Sequence, residues 1–247
     1  MRLLTIFFLF LISASGFALA SPAPSLAQQV AGGVAQPATK VESYGEQLCL
    51  KPGLHCIKVK QGDTWSSLFP DNQQRDLVMR LNRTNVPLRF RPWIIVPDDL
   101  ANTEYLSLSP LPEKIHPPGR QVLIVDLGQF AFGAYDEQGN LLRWGPASGG
   151  QTWCDDDRSA SCETRLGEFK IYRIQGAQCI SSEYPKETGG GAPMPYCMHY
   201  YRGFALHGST LSGFLNRSKG CIRLFTSDAK WLTQQFASIG TLIYVHR

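Results

Sequence analysis

Beyond Arg120 the apolar residues come in short runs of strand length, cut apart by turn residues, and this pattern limits the fold more than any other feature. Val122-Leu123-Ile124-Val125-Asp126 is apolar enough to be a strand buried on both faces, and Phe130, Phe132 and Ala134 alternate along the next. Glu137-Gln138-Gly139-Asn140 reads as a hairpin turn from which Leu141 to Ala147 return. Phe169 with Ile171, Met194 to Tyr200, Gly203 to His207, Cys221 to Leu224 and Thr241 to His246 supply further short strands. One amphipathic helix is expected from Ser227 to about Phe236, with Thr226 or Ser227 as its cap and Gly240 as its stop. Many short strands with one main helix predict a mainly β, sandwich-like domain over residues 120–247.

The N-terminal half reads differently. Arg2, the apolar run Leu3 to Ile12, and the small residues of Ala18-Leu19-Ala20 form a secretory signal peptide over residues 1–20, too short for a comfortable membrane span. Residues 21–47, rich in Ala, Pro, Gln, Gly and Ser, are expected to be a flexible leader. Residues 48–100 read as a small α+β module: a strand at Ile57-Lys58-Val59, a turn at Gln61-Gly62-Asp63-Thr64, two helical stretches, and a closing strand from Trp93 to Pro97. Residues 101–119, with prolines at 110, 112, 117 and 118, are expected to be a semi-rigid linker or docking arm. No later apolar run is long enough to span a bilayer. A net charge of +4 suits work near an anionic polymer and is too weak to argue for nucleic acid.

An exported chain can keep disulfides, and six of the seven cysteines fall into neighbouring pairs: 49 with 56, 154 with 162, and 179 with 197. Spacing does not prove that connectivity. If it holds, Cys221 is the odd thiol, and an odd thiol in an exported protein is an intermolecular partner or a reactive group. A metal site joining cysteines to His199 or His55 is the rival reading, but no compact Cys-x-x-Cys or His-x-x-x-His spacing supports it.

Cys221 sits in Ser218-Lys219-Gly220-Cys221-Ile222-Arg223, downstream of Ala205-Leu206-His207-Gly208. A thiol needs a partner that favours thiolate, and His207 suits that role and the later return of a proton to a departing amine. The imidazole needs its other nitrogen held. Gly220 permits a tight turn, so the backbone N–H groups of Lys219, Gly220 and Cys221 are candidates for an oxyanion hole. Arg223, two residues along a strand, faces the same side as Cys221 and suits a carboxylate or carbonyl. Ser218 is a turn or oxyanion candidate, while Ser209 and Tyr196 are candidate substrate contacts.

These motifs resemble the L,D-transpeptidase domain, also called the YkuD family, whose signature is His-Gly followed by Ser/Thr-x-Gly-Cys-x-Arg. Thr164-x-x-Gly167 and Met194-Pro195-Tyr196 are further family-like features, whereas Arg165 and Lys219 stand where proline and histidine are commoner. The resemblance implies a cysteine acyltransferase of peptidoglycan stem peptides, working in the periplasm through a thioester and without metal or cofactor. It implies that a backbone carbonyl next to the histidine, of Gly208 or Ser209, holds the imidazole. The acceptor is expected to be an amine, of another stem or of an envelope protein. Resolution by water, or a non-catalytic wall-binding protein, are the alternatives. Residues 57–98 resemble a LysM module through Gly62-Asp63-Thr64, Asn82 and Ile94 to Pro97, which implies binding to glycan strands. Pro87 to Pro92 departs from the usual turn of that module.

Overall fold

The computed structural model describes residues 43–155 and 159–247; the expected signal peptide and most of the expected leader lie outside the described residues. Strand β3 (Val122–Asp126) lies in the body of a nine-stranded mixed sheet with β4 (Ala131–Tyr135), β5 (Leu141–Ser148), β6 (Gly167–Lys170), β7 (Arg173–Ile174), β8 (Met198–Tyr201), β9 (Phe204–Gly208), β10 (Ile222–Leu224) and β11 (Leu242–His246). The spatial order is β6-β11-β3-β4-β5-β10-β9-β8-β7. The two end strands are consecutive in the chain, so the segment 167–174 bonds to β11 through its first half and to β8 through its second. This curls the sheet on itself: Phe169 meets the ring of Tyr200 at 5.2 Å and that of Tyr201 at 5.3 Å. The sandwich-like character expected from the sequence is thus one curled sheet.

Alternation along these strands makes two cores. Leu123 and Val125 face inward with Phe132, Leu206, Ile222, Leu224 and Ile243, and helix α4 (Thr226–Trp231) adds Ala229, followed by Leu232 and Phe236. The helix begins one residue earlier than expected, with Phe225 at the cap position and no side-chain cap, and its last turn widens to a π-type turn over Leu232–Phe236. On the other face Val122, Ala131, Tyr135 and Trp144 form a second core, closed by Tyr105, Leu106, Leu108 and Leu111. Residues 101–119 therefore do more than link. Their apolar side chains cover the sheet, Tyr105 stacks on Trp144 at 5.8 Å, and the Trp144 indole N–H donates to the Tyr105 carbonyl at 2.8 Å.

The N-terminal half begins with helix α1 (Tyr44–Cys49), closed by a capping box between Ser43 and Glu46, where the end of the leader was expected. Strands β1 (Leu54–Lys58) and β2 (Trp93–Pro97) pair antiparallel and enclose helices α2 (Trp65–Leu68) and α3 (Asn72–Leu81). Asn82 ends α3 and joins it to β2, donating to the Val78 and Ile95 carbonyls and accepting the Ile95 N–H. The described residues after Val41 form a single unit, so this module is fastened to the large sheet.

Part of the fastening is electrostatic and buried. Arg80 of α3 donates to Asp228 of α4 at 2.6 Å, and Arg143 of β5 reaches the same carboxylate at 2.7 Å. Gly145 leaves the room: a Cβ there would lie 2.6 Å from the Asp228 carboxylate and 2.6 Å from the Phe132 ring. No helix among the described residues is long and apolar enough to cross a membrane.

Candidate active site

Strands β9 and β10 run parallel, with Ile222 opposite Leu206, Arg223 opposite His207 and Leu224 opposite Gly208. Leu206, Ile222 and Leu224 go into the main core. The period of two then sends Ala205, His207, Cys221 and Arg223 to the opposite face. Cys221 and His207 are diagonal neighbours there. Strands about 4.8 Å apart and two residues of about 3.3 Å each separate their Cα atoms by about 8 Å, a span that two side chains turned toward each other bridge.

His207 is buried, and its Nδ1 lies 3.0 Å from the Gly208 carbonyl. With the proton on Nδ1 donated to that oxygen, Nε2 is the basic nitrogen. The Gly208 N–H donates to the Pro195 carbonyl at 2.8 Å, and the Ser209 N–H to the Leu224 carbonyl at 2.8 Å, so that carbonyl's own peptide and the one before it are held.

All the other cysteines are paired, 49 with 56, 154 with 162 and 179 with 197, leaving Cys221 as the free thiol. Its turn is held from below. The Ser218 hydroxyl donates to the Cys221 carbonyl and accepts the Gly220 N–H at 3.1 Å. Thr164, buried, donates to the Gly220 carbonyl at 2.8 Å and accepts the Gly150 N–H at 2.7 Å. Gly220 has φ +113°, and a Cβ there would sit 2.3 Å from the Phe204 ring. Glycine is the residue that satisfies both constraints.

One expectation is corrected here. The Gly220 N–H is spent on Ser218, so it is not an oxyanion donor, and Ser218 supports the turn. Tyr196, at φ +58°, is half-buried and packs against the edge of the main core. Ser209 is half-buried and its carbonyl accepts from Asn85 at 3.3 Å, an involvement of the N-terminal module that local sequence does not reveal. Lys219 places its ammonium 4.9 Å from the Tyr184 ring. Trp153 is largely exposed.

The resting ionisation also differs from a thiolate–imidazolium pair. Burial lowers the His207 pKa to about 4 against a weaker pull from the Gly208 carbonyl, and the Arg223 charge lowers it further. Burial raises the Cys221 thiol, opposed by a backbone hydrogen bond with Ala205 and by the Arg223 cation, while Glu183 adds to the rise. Both shifts favour the uncharged forms, a neutral imidazole and a thiol.

The segment between Cys179 and Cys197 lies on this face: both cysteines and Met194 pack with Ala205, and Cys221 packs against them. It is internally bonded, with Ile180 bridged to Pro193 and the Ser181 N–H donating to Ala192 at 2.9 Å. Its sulfurs come close to His199, but they are bonded to each other and offer no thiolate to a metal. His199 instead receives the Arg173 guanidinium at 2.8 Å, and burial lowers its pKa to about 4.

The family model for the YkuD L,D-transpeptidase catalytic domain matches residues 120–245. The chain belongs to this family. The match runs from before β3 into β11 and includes His207, Gly208 and residues 218–223. No curated protein sequence matches the chain. Among solved structures it is similar to an L,D-transpeptidase from Xylanimonas cellulosilytica (23% identity, 55% of this chain and 64% of that one, TM-score 0.46). It is also similar to L,D-transpeptidases from Mycobacterium smegmatis (21%, 52% and 59%, TM-score 0.42) and Mycobacterium tuberculosis (22%, 51% and 60%, TM-score 0.42). The chain covers less than two thirds of the length of each.

Proposed function

We propose that the chain is an exported, periplasmic cysteine L,D-transpeptidase acting on peptidoglycan stem peptides. The observation that carries this reading is a free thiol and an imidazole with a fixed tautomer on one face of adjacent parallel strands, inside a YkuD domain. The Cys221 proton passes to Nε2 of His207 as sulfur attacks the carbonyl of the diaminoacid L-centre. The C–N bond to the terminal D-residue breaks, its amine leaves with the proton from His207, and a thioester remains. An acceptor amine then gives its proton to His207 and forms the new amide, restoring the thiol. With the Gly220 N–H engaged, this reading assigns the Cys221 N–H as an oxyanion donor, worth about 3 kcal/mol in such sites. Arg223 is suited to hold the substrate carboxylate.

The module adds a groove of about 680 Å³ between residues 62–66 and 85–89, lined by Trp65, Arg75 and Arg89 among others. An aromatic wall beside polar groups suits a sugar, which supports a LysM-like role on glycan strands. Intact mass after incubation with a tetrapeptide donor tests the chemistry: an adduct lost in Cys221→Ala supports it, and an unmodified wild-type protein refutes it. Product analysis with purified sacculi separates transfer to stem or envelope-protein amines from hydrolysis, since water as acceptor yields only shortened monomers.

A further inference from the structure

We infer that Asn85 of the N-terminal module is a positioning residue for His207, so the module takes part in catalysis besides any role on glycan; this rests on the acyl-transfer reading above. The loop 209–213 leaves the active site directly after Gly208, and the module grips it as one strand grips another. The Asn85 carboxamide spans two peptides of that loop: Nδ2 donates to the Ser209 carbonyl at 3.3 Å and Oδ1 accepts the Leu211 N–H at 2.8 Å. Its own N–H donates to the Leu211 carbonyl at 3.2 Å. Thr84, fully buried, donates to that carbonyl at 2.9 Å and bridges to Ser212, while the Gly213 N–H donates to the Arg83 carbonyl at 3.0 Å.

The consequence reaches His207 through one peptide plane. The Gly208 carbonyl that takes the Nδ1 proton belongs to the peptide whose nitrogen is Ser209. The Ser209 N–H is anchored to Leu224 in β10, two strand positions beyond Ile222, and the Ser209 carbonyl is anchored to Asn85. Releasing Asn85 leaves the Gly208–Ser209 peptide on the Leu224 hydrogen bond alone, so it can tilt about that bond and weaken the contact between the Gly208 carbonyl and Nδ1. The proton then has no fixed acceptor, and the tautomer with a basic Nε2 is no longer enforced. Outer partners that orient catalytic imidazoles in metal sites are worth 10–100-fold, and a neutral amide acting through one peptide belongs at the low end of that range.

Asn85 also lines the groove of the module, so a sugar-binding role must be separated from positioning. The test uses the full chain with a sugar-free tetrapeptide donor, which has nothing to place in that groove. Asn85→Asp retains the acceptor toward Leu211 and loses the donor toward Ser209; Asn85→Leu loses both. The expected result is a fall in kcat for acylation of about tenfold in Asn85→Asp and more in Asn85→Leu, with KM little changed. Histidine ring ¹⁵N shifts are expected to show His207 moving from a single Nδ1–H tautomer to a mixture. A wild-type kcat, a loss confined to KM, or a reduced kcat with the tautomer intact overturns the inference. Should wild-type protein fail to form the adduct, the acyl-transfer reading falls, and the tautomer measurement alone still decides whether Asn85 positions the ring.

Discussion

Replacing Asp228 by asparagine tests what holds the module to the sheet. The side chain is fully buried and receives Arg80 Nη1 at 2.6 Å and Arg143 Nη2 at 2.7 Å. Arg80 is itself buried, and its other carboxylate partner is Asp76 at 2.5 Å, half exposed to solvent. Neutralising Asp228 leaves Arg80 short of negative charge in a site water does not reach. Breaking a buried pair from one side costs about 3–5 kcal/mol. Arg143 is partly exposed and lies over the Trp231 ring, so it can turn toward solvent, and the Asn side chain keeps one acceptor. The lower figure, about 3 kcal/mol, applies. For a unit of this size each kcal/mol moves the melting midpoint by about 2–4 °C, so thermal unfolding followed by circular dichroism is expected to drop by about 6–12 °C. Arg80→Met combined with Asp228→Leu replaces the pair by apolar groups, and its loss is expected to fall at least 2 kcal/mol short of the sum of the single losses. A shift under 2 °C for Asp228→Asn, or simple additivity in the double variant, refutes the view that this charge pair fastens the module.

Thr164→Val removes the hydroxyl between the Gly150 N–H and the Gly220 carbonyl; two buried backbone groups left unpaired are expected to cost about 3 kcal/mol in denaturant titration and to slow acylation of Cys221. His207 has a folded pKa of about 4 against about 6.5 in an open chain, so as pH falls below 6.5 the unfolded state takes the proton first. Its contribution is complete above pH 6.5 and is lost toward pH 4, on the order of 3 kcal/mol, and His207→Gln is expected to flatten the stability–pH curve by that amount across that window.

The catalytic strands were legible because their information is local: an apolar run ending at His207, a Gly-Cys turn, and alternation that sends Cys221 and Arg223 to one face. The cysteine pairs were legible for the same reason. What sequence could not convey was spending and docking. The Gly220 N–H looked available until Ser218 was seen to take it. Arg80 and Asp228, or Asn85 and Ser209, carry no periodicity that links them, being joined only by the fold. The arm over residues 101–119 was read through its prolines, which mask Tyr105, Leu108 and Leu111 as apolar cover for the second face. Thr164 was visible only as a motif position, and its two hydrogen bonds explain why a hydroxyl belongs there.

The curled sheet has a consequence for how copies of the protein behave toward one another. Its two rims are Gly167–Lys170 and Arg173–Ile174, four and two residues long. Such stubs, studded with Glu168, Lys170 and Arg173, offer a second chain little ladder to extend and unfavourable charges to approach. Self-templated β-stacking, the hazard of any protein this rich in strands, is discouraged at both ends by one eight-residue stretch.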